Sequence, residues 1–168
     1  MNKKVILGLG IGLIALVLVA VIVVLVSVMG VNSNDKNNPA VPAVYQEGDI
    51  VKIPIEITEN PGMIIAKTVV NYDASVLDYV ECEKGIFTDN TVSAKDGVAT
   101  CLLMTDITVD SKDITEKGTA ATLVFKVKKG AKAGDYLFSV DEKTSEYANL
   151  KEKFVSPKVS VTNTITIK

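Results

Sequence analysis

From Val41 onward the chain is a succession of short β-branched runs, each closed by turn residues, and this rhythm restricts the fold more than any other feature. Such runs suit strands and leave no room for the crossover helices of a βαβ unit, so the expected class is an all-β sandwich. The predicted strands number about nine: Val41 to Tyr45, Asp49 to Thr58, Ile64 to Tyr72, Leu77 to Lys84, Thr91 to Lys95, Val98 to Thr105, Thr119 to Val127, Asp135 to Val140 and Val159 to Ile167. Turns are expected at Glu47-Gly48, Asn60-Pro61-Gly62, Asp96-Gly97, Lys117-Gly118 and from Gly130 to Gly134. Alternation is clearest in IVKIPIEIT, where Val51, Ile53, Ile55 and Ile57 take the face opposite Lys52, Pro54, Glu56 and Thr58, and it returns in TLVFKVKKG. Pro54 lacks an N–H and points to an edge or a bulge at that position. TSEYANLKEKF is readable as a helix or as a loop.

Val5 to Met29 is a second, different region: an uncharged apolar run whose only hydroxyl is Ser27. As a helix of about 25 residues it would span about 37 Å, against a hydrocarbon core of about 30 Å. A cleaved secretory signal shares the positive start, but its apolar core is shorter, and only Val28 and Gly30 offer a weak cleavage site. Lys3 and Lys4 precede the run, so the positive-inside rule leaves that end cytoplasmic and places the remainder outside. The expected organisation is a cytoplasmic terminus over 1–4, a transmembrane helix over 5–29, a linker over 30–40 and the sandwich over 41–168. Gly8 and Gly12 form a small-xxx-small pair that ordinary membrane-helix composition explains as well as close packing does.

Composition narrows the function classes. The 168 residues contain no His and no Trp, which removes the commonest general base and metal ligand; His-dependent triads and His-ligated zinc are excluded and an enzyme is disfavoured. The formal net charge is -2, with Lys3 and Lys4 ahead of the apolar run, so nucleic acid is not an expected partner.

The runs GMIIAKTVVNYDASVLDYVECEKG, GVATCLLMTD and ITEKGTAATLVFKVKKGAKAGDYLFSV, in that order and spacing, resemble the cohesin domain. The most specific pieces are Tyr72-Asp73-x-Ser75-Val76-Leu77 and Ile114-Thr115-x-x-Gly118, and the similarity covers nearly all of 41–168. The resemblance implies a nine-stranded jelly-roll sandwich that binds dockerin modules, as in cellulosome assembly. It implies no cofactor in this chain, Ca²⁺ being expected in the dockerin. It also implies that the third and sixth predicted strands lie side by side in the docking sheet.

Alternation along those two strands places Ala66, Thr68, Val70 and Tyr72 inward and Ile65, Lys67, Val69 and Asn71 outward. On the sixth strand Ala99, Cys101 and Leu103 turn inward, leaving Thr100, Leu102 and Met104 outward. The candidate protein-binding residues are therefore Ile65, Lys67, Val69, Asn71, Leu102, Met104 and Thr105. A one-residue slip would exchange the two sets. Cohesins that bind the best-known dockerins carry polar or acidic residues where this chain has Ile65 and Lys67, which alters the complementary partner.

Cys82 and Cys101 fall on the fourth and sixth predicted strands, and both an inter-sheet disulfide and two separate buried thiols fit. Asp106, Asp110 and Asp113 lie in one loop but lack the Gly and Glu of an EF-hand, so a solvated acidic loop is expected and no metal site. The leading functional expectation is a non-enzymatic, membrane-anchored cohesin displaying dockerin-bearing proteins at the cell surface. The alternatives are a carbohydrate-binding module, for which aromatic residues are few and Tyr147 is the exposed candidate, and a structural or adhesion subunit of the envelope.

Overall fold

The computed structural model describes residues 43–108 and 110–168. The strands are β1 (Val44–Tyr45), β2 (Ile50–Glu59), β3 (Ile65–Asn71), β4 (Leu77–Lys84), β5 (Asp89–Lys95) and β6 (Val98–Met104), followed by β7 (Gly118–Val127), β8 (Gly134–Leu137), β9 (Ser139–Val140), β10 (Glu146–Ala148), β11 (Lys158–Val161) and β12 (Thr164–Ile167). One sheet runs β10-β3-β6-β5, with β9 also paired to β3, and a second runs β11-β2-β7-β4. A third, of order β1-β12-β8, joins the first and last strands in parallel. The predicted transmembrane helix over 5–29 and linker over 30–40 lie outside the described residues. Among the described residues no helix is long and apolar enough to cross a membrane.

Period-two alternation builds the core. Val51, Ile53, Ile55 and Ile57 of β2 are buried with Leu123 and Phe125 of β7 on one side, and Ala66, Val70, Ala99, Cys101 and Leu103 of β3 and β6 join the same cluster. Phe125 is central, with its ring centroid 4.8 Å from Tyr72, 5.6 Å from Phe138 and 6.0 Å from Tyr79. Offset and edge-on rings at these distances add a little beyond area burial. Ile165 and Ile167 of β12 extend the core beneath the third sheet.

Three sequence expectations need correction. The described residues form twelve strands rather than nine, because two predicted runs are divided and one further strand, β10, was not expected. The run from Asp135 breaks at Phe138, whose side chain is buried and whose N–H donates to Asn163 O at 2.9 Å. The run from Val159 breaks after Val161, so that β11 pairs with β2 while β12 pairs with β8 and β1. The third concerns TSEYANLKEKF, which is not a helix: it supplies β10, and Phe154 then bridges back to Ala148. Pro54 lies just past the end of the β11 pairing, so β2 is locally an edge there, and the bulge falls one step further on. Pairing of β2 with β11 stops at Ile55, and the pairing with β7 shifts register between Ile55 and Glu56.

Turn chemistry fixes the hairpins. Asp96 and Gly97 both have positive φ, the pattern of a type I′ turn between β5 and β6. A Cβ on Gly97 would lie 2.8 Å from Tyr72 O, so the position is closed to other residues on two grounds. In the Tyr72-Asp73-x-Ser75 motif, Asp73 Oδ1 accepts the Ser75 N–H at 2.7 Å while Asp73 O accepts Leu77 N–H at 3.1 Å, bending the chain from β3 into β4.

The hydrogen bonds from Ser75 hold the Asp73 carboxyl below its ordinary pKa. A depressed folded-state pKa stabilises the fold above the unfolded carboxyl value and loses that contribution as pH falls through the folded one. Solvent screens this accessible carboxyl, so Asp73→Ala is expected to cost about 0.5 kcal/mol or less at neutral pH. Paired thermal melts check this: the gap between variant and wild type should be present at pH 7 and shrink toward pH 3.

Candidate partner-binding face

Seven consecutive rungs join β3 to β6, from Ile65 opposite Met104 to Asn71 opposite Val98, and seven more join β6 to β5. Residues directly opposite share a face. The outer surface of this sheet is therefore a lattice of cross-strand rows. The first row reads Ala148, Ile65, Met104, Asp89; the second Glu146, Lys67, Leu102, Thr91; the third Val69, Thr100, Ser93; the fourth Ser139, Asn71, Val98, Lys95.

The inward set is as the alternation requires. Ala66, Thr68, Val70, Ala99, Cys101 and Leu103 are buried, and Tyr72 is half-buried. Of the outward set, Ile65, Lys67, Asn71, Thr100, Leu102 and Met104 are half-buried, with Thr105 just beyond β6 donating its N–H to Ile64 O. Val69 is a correction: it has the outward parity but only 5% exposure. The turn from Asp141 to Ser145 runs alongside, Ser145 Oγ accepting the Val69 N–H at 3.0 Å and Asp141 N–H donating to Val69 O at 2.8 Å. The open apolar centre is thus Ile65, Leu102 and Met104, with Ala148 beside them.

Lys67 does not project as a free cation. Its Nζ lies 3.0 Å from Glu146 Oε2, its partner across the β3–β10 rung. A half-exposed pair of this kind contributes little stability, about 0 to 1 kcal/mol, but it neutralises the centre of the face. Glu146 and Ala148 carried no strand signal in the sequence because β10 is only three residues long, too short for a period of two to show. The rim residues Asp89, Thr91, Ser93 and Lys95 were likewise legible as the exposed parity of β5.

The two cysteines are free thiols on opposite sheets, not a disulfide. Burial raises both thiol pKa values, that of Cys101 to about 12, so neither is a nucleophile near neutral pH. Asp106, Asp110 and Asp113 do not converge: Asp113 Oδ1 accepts the Leu150 N–H at 2.7 Å, and among the described residues no cluster of three acidic, Cys or His side chains is arranged to hold a metal.

A family model described as the cohesin domain matches residues 39–167. Similar solved structures include the OlpA cohesin of a type I cohesin–dockerin complex from Clostridium thermocellum, 20% identical with TM-score 0.63 over 76% of this chain and 94% of that one. The seventh ScaB type I cohesin of Pseudobacteroides cellulosolvens is 25% identical, with TM-score 0.59 over 76% and 88%. A non-cellulosomal cohesin of the archaeon Archaeoglobus fulgidus is 12% identical, with TM-score 0.54 over 76% and 87%. No curated protein sequence matches.

Neighbouring residues on β6 separate the two faces experimentally. Leu103→Ala removes a fully buried side chain and should cost about 2 to 5 kcal/mol, whereas Leu102→Ala should cost at most about 1. Urea melts of both variants check the order; equal losses would mean that the outer face is part of the core. For the thiols, a maleimide should modify Cys101 only after unfolding and Cys82 slowly in the native domain. Mass spectrometry should find two modified thiols after denaturation without reductant.

Proposed function

Because the chain belongs to the cohesin family, whose modules are non-catalytic, it is not an enzyme, and we propose that it binds dockerin-bearing proteins through the outer face of β10-β3-β6-β5 and holds them at the cell surface behind an N-terminal membrane anchor. The observation carrying this reading is the family match over nearly the whole described region, joined to a four-stranded face with an apolar centre and a polar rim. That distribution is the one protein interfaces use. Solved relatives include cohesins in complex with dockerins.

The centre of the face sets the partner's chemistry. With Ile65 and Met104 paired across one rung and Lys67 neutralised by Glu146, a matching dockerin places apolar side chains at the middle and keeps its charges for the rim. The anchor rests on the uncharged run from Val5 to Met29 and on Lys3 and Lys4 before it.

Dockerin modules encoded in the same genome, produced singly with Ca²⁺, provide the test. At least one should bind the immobilised domain, and a chelator should abolish binding because dockerin loops fold around the metal. The melt of the domain itself should not change with the chelator. Binding by none of them would overturn the assignment. In the native cell the full chain should sediment with membranes and be cleaved by protease added outside; recovery only in the soluble fraction would remove the anchor.

A further inference from the structure

The edge strands of the three sheets are β1, β4, β5, β8, β9, β10 and β11, and all but β5 are short or interrupted. β1, β8, β9, β10 and β11 have two to four residues, and β4 shifts register between Tyr79 and Glu81. Devices of this kind keep an edge from pairing with another chain. β5 has none of them. Its seven residues, Asp89 to Lys95, pair with β6 in unbroken register and include no proline. No charged side chain of β5 points inward, the inward set being Asn90, Val92 and Ala94.

The turn at Asp96-Gly97 fixes which main-chain groups this edge presents. In a two-residue hairpin the closing pair, Lys95 and Val98, exchanges hydrogen bonds, and the alternation that follows commits Asp89, Thr91, Ser93 and Lys95 to β6. The N–H and C=O groups of Asn90, Val92 and Ala94 therefore point to the free edge. Those of Val92 and Ala94 have no main-chain partner there among the described residues. The Asn90 N–H donates to Asp89 Oδ1 at 2.9 Å, so a side chain stands where a neighbouring strand would bring a carbonyl. The Asn90 side chain turns to the other sheet, its Nδ2 donating to Cys82 O at 3.4 Å. Val92 and Ala94 pack against the core yet stay half-buried, whereas Cys101 and Ala99 opposite them on β6 are closed off completely.

We infer that β5 is a self-pairing edge, and that its occupant is β5 of a second copy of this chain, antiparallel to the first about a two-fold axis at Val92. The charges select both the occupant and the register. Centred on Val92, the pairing opposes the free groups of Asn90 to those of Ala94, sets Thr91 across from Ser93, and places Asp89 of each copy across from Lys95 of the other. Registers centred on Thr91 or Ser93 lose two rungs and part Asp89 from Lys95. Both charges are exposed, and Lys95 Nζ makes only a loose pair with the adjacent Asp96 Oδ2 at 3.9 Å. Every row of the outer face then runs on into the second copy, and the two sheets become one surface facing the same way. A seven-residue strand is a small contact beside the roughly 20–30 residues a side of a standard interface, so the pair is weak in free solution and forms where copies are concentrated. It needs no dockerin.

Cross-linking in cells that produce the full chain tests occupant and register together. Two versions with different tags, one carrying Thr91→Cys and the other Ser93→Cys, are produced in the same cells and treated with copper phenanthroline in air, which oxidises adjacent thiols to a disulfide. Opposed residues of a non-hydrogen-bonded pair are close enough for that bond. The expected product is a disulfide-linked dimer containing both tags. Either version alone should stay monomeric, because position 91 then faces Ser93 and position 93 faces Thr91; wild type, with Cys82 and Cys101, should do the same. Asp89→Lys or Lys95→Asp in both chains should lower the yield at least about five-fold, and the two combined should restore it by joining opposite charges again. All four positions are exposed, so the melts of these variants should match wild type. A dimer from one version alone overturns the register. No dimer in the mixture, or no recovery with the combined exchange, overturns the pairing. These outcomes are read without a dockerin, so they stand apart from the function proposed above.

Discussion

The ladder between β3 and β6 is the interaction on which the rest of the molecule depends. Its seven rungs commit every second residue of both strands to the core, and by the same geometry commit the others to the outer face. The commitment is energetic. A slip of one residue would turn Lys67 and Asn71 inward and expose Val70, Leu103 and Cys101, all now without solvent contact. Losing a buried leucine or valine forfeits about 1.5 to 3 kcal/mol, and burying an unpaired ammonium costs more. The register of the candidate face is thus maintained from behind, by a core that has no part in binding.

Where strands alternate over seven or more residues the sequence showed them nearly in full: β2, β3, β4, β6 and β7 fall within about two residues of their expected limits. What escaped it depends on where a chain goes rather than on what it contains. Val159 to Ile167 reads as one extended run, yet Val161 and Thr164 sit in different sheets. Nothing in a period of two reports a change of sheet. β10 was lost for a related reason. Its three residues form no pattern alone and become a strand because Tyr147 and its neighbours find partners on β3. The burial of Val69 is the same lesson at one residue: parity sets the face, while the turn from Asp141 to Ser145 decides whether that face is open.

The short β10 does more than complete an edge. It supplies Glu146 to Lys67 and Ala148 to Ile65, so one three-residue strand both neutralises the centre of the face and carries its apolar row outward. The lysine that departs from the acidic or polar character expected of cohesin docking strands is therefore not a simple charge reversal. Solvent screening keeps the pair's contribution to stability small. Its consequence is for selection: a partner offering a carboxylate at this point would have to displace Glu146, whereas an apolar side chain would not.

The opposite side of the sandwich is built differently. There the two sheets close on each other at the corner between β4 and β5. Gly85 turns that corner with no space for a side chain, since a Cβ would lie 2.1 Å from Thr119 O. Asn90 Nδ2 donates to Cys82 O at 3.4 Å, tying a strand of one sheet to a strand of the other. At the β10 edge the chain instead folds back through the Asn149–Lys153 turn and sets Phe154 beside Ala148, adding a position to the first row without adding a strand. The two edges of this sheet therefore differ: β5 is tied across to the other sheet through Asn90, whereas β10 is followed by a turn that adds one residue to the first row.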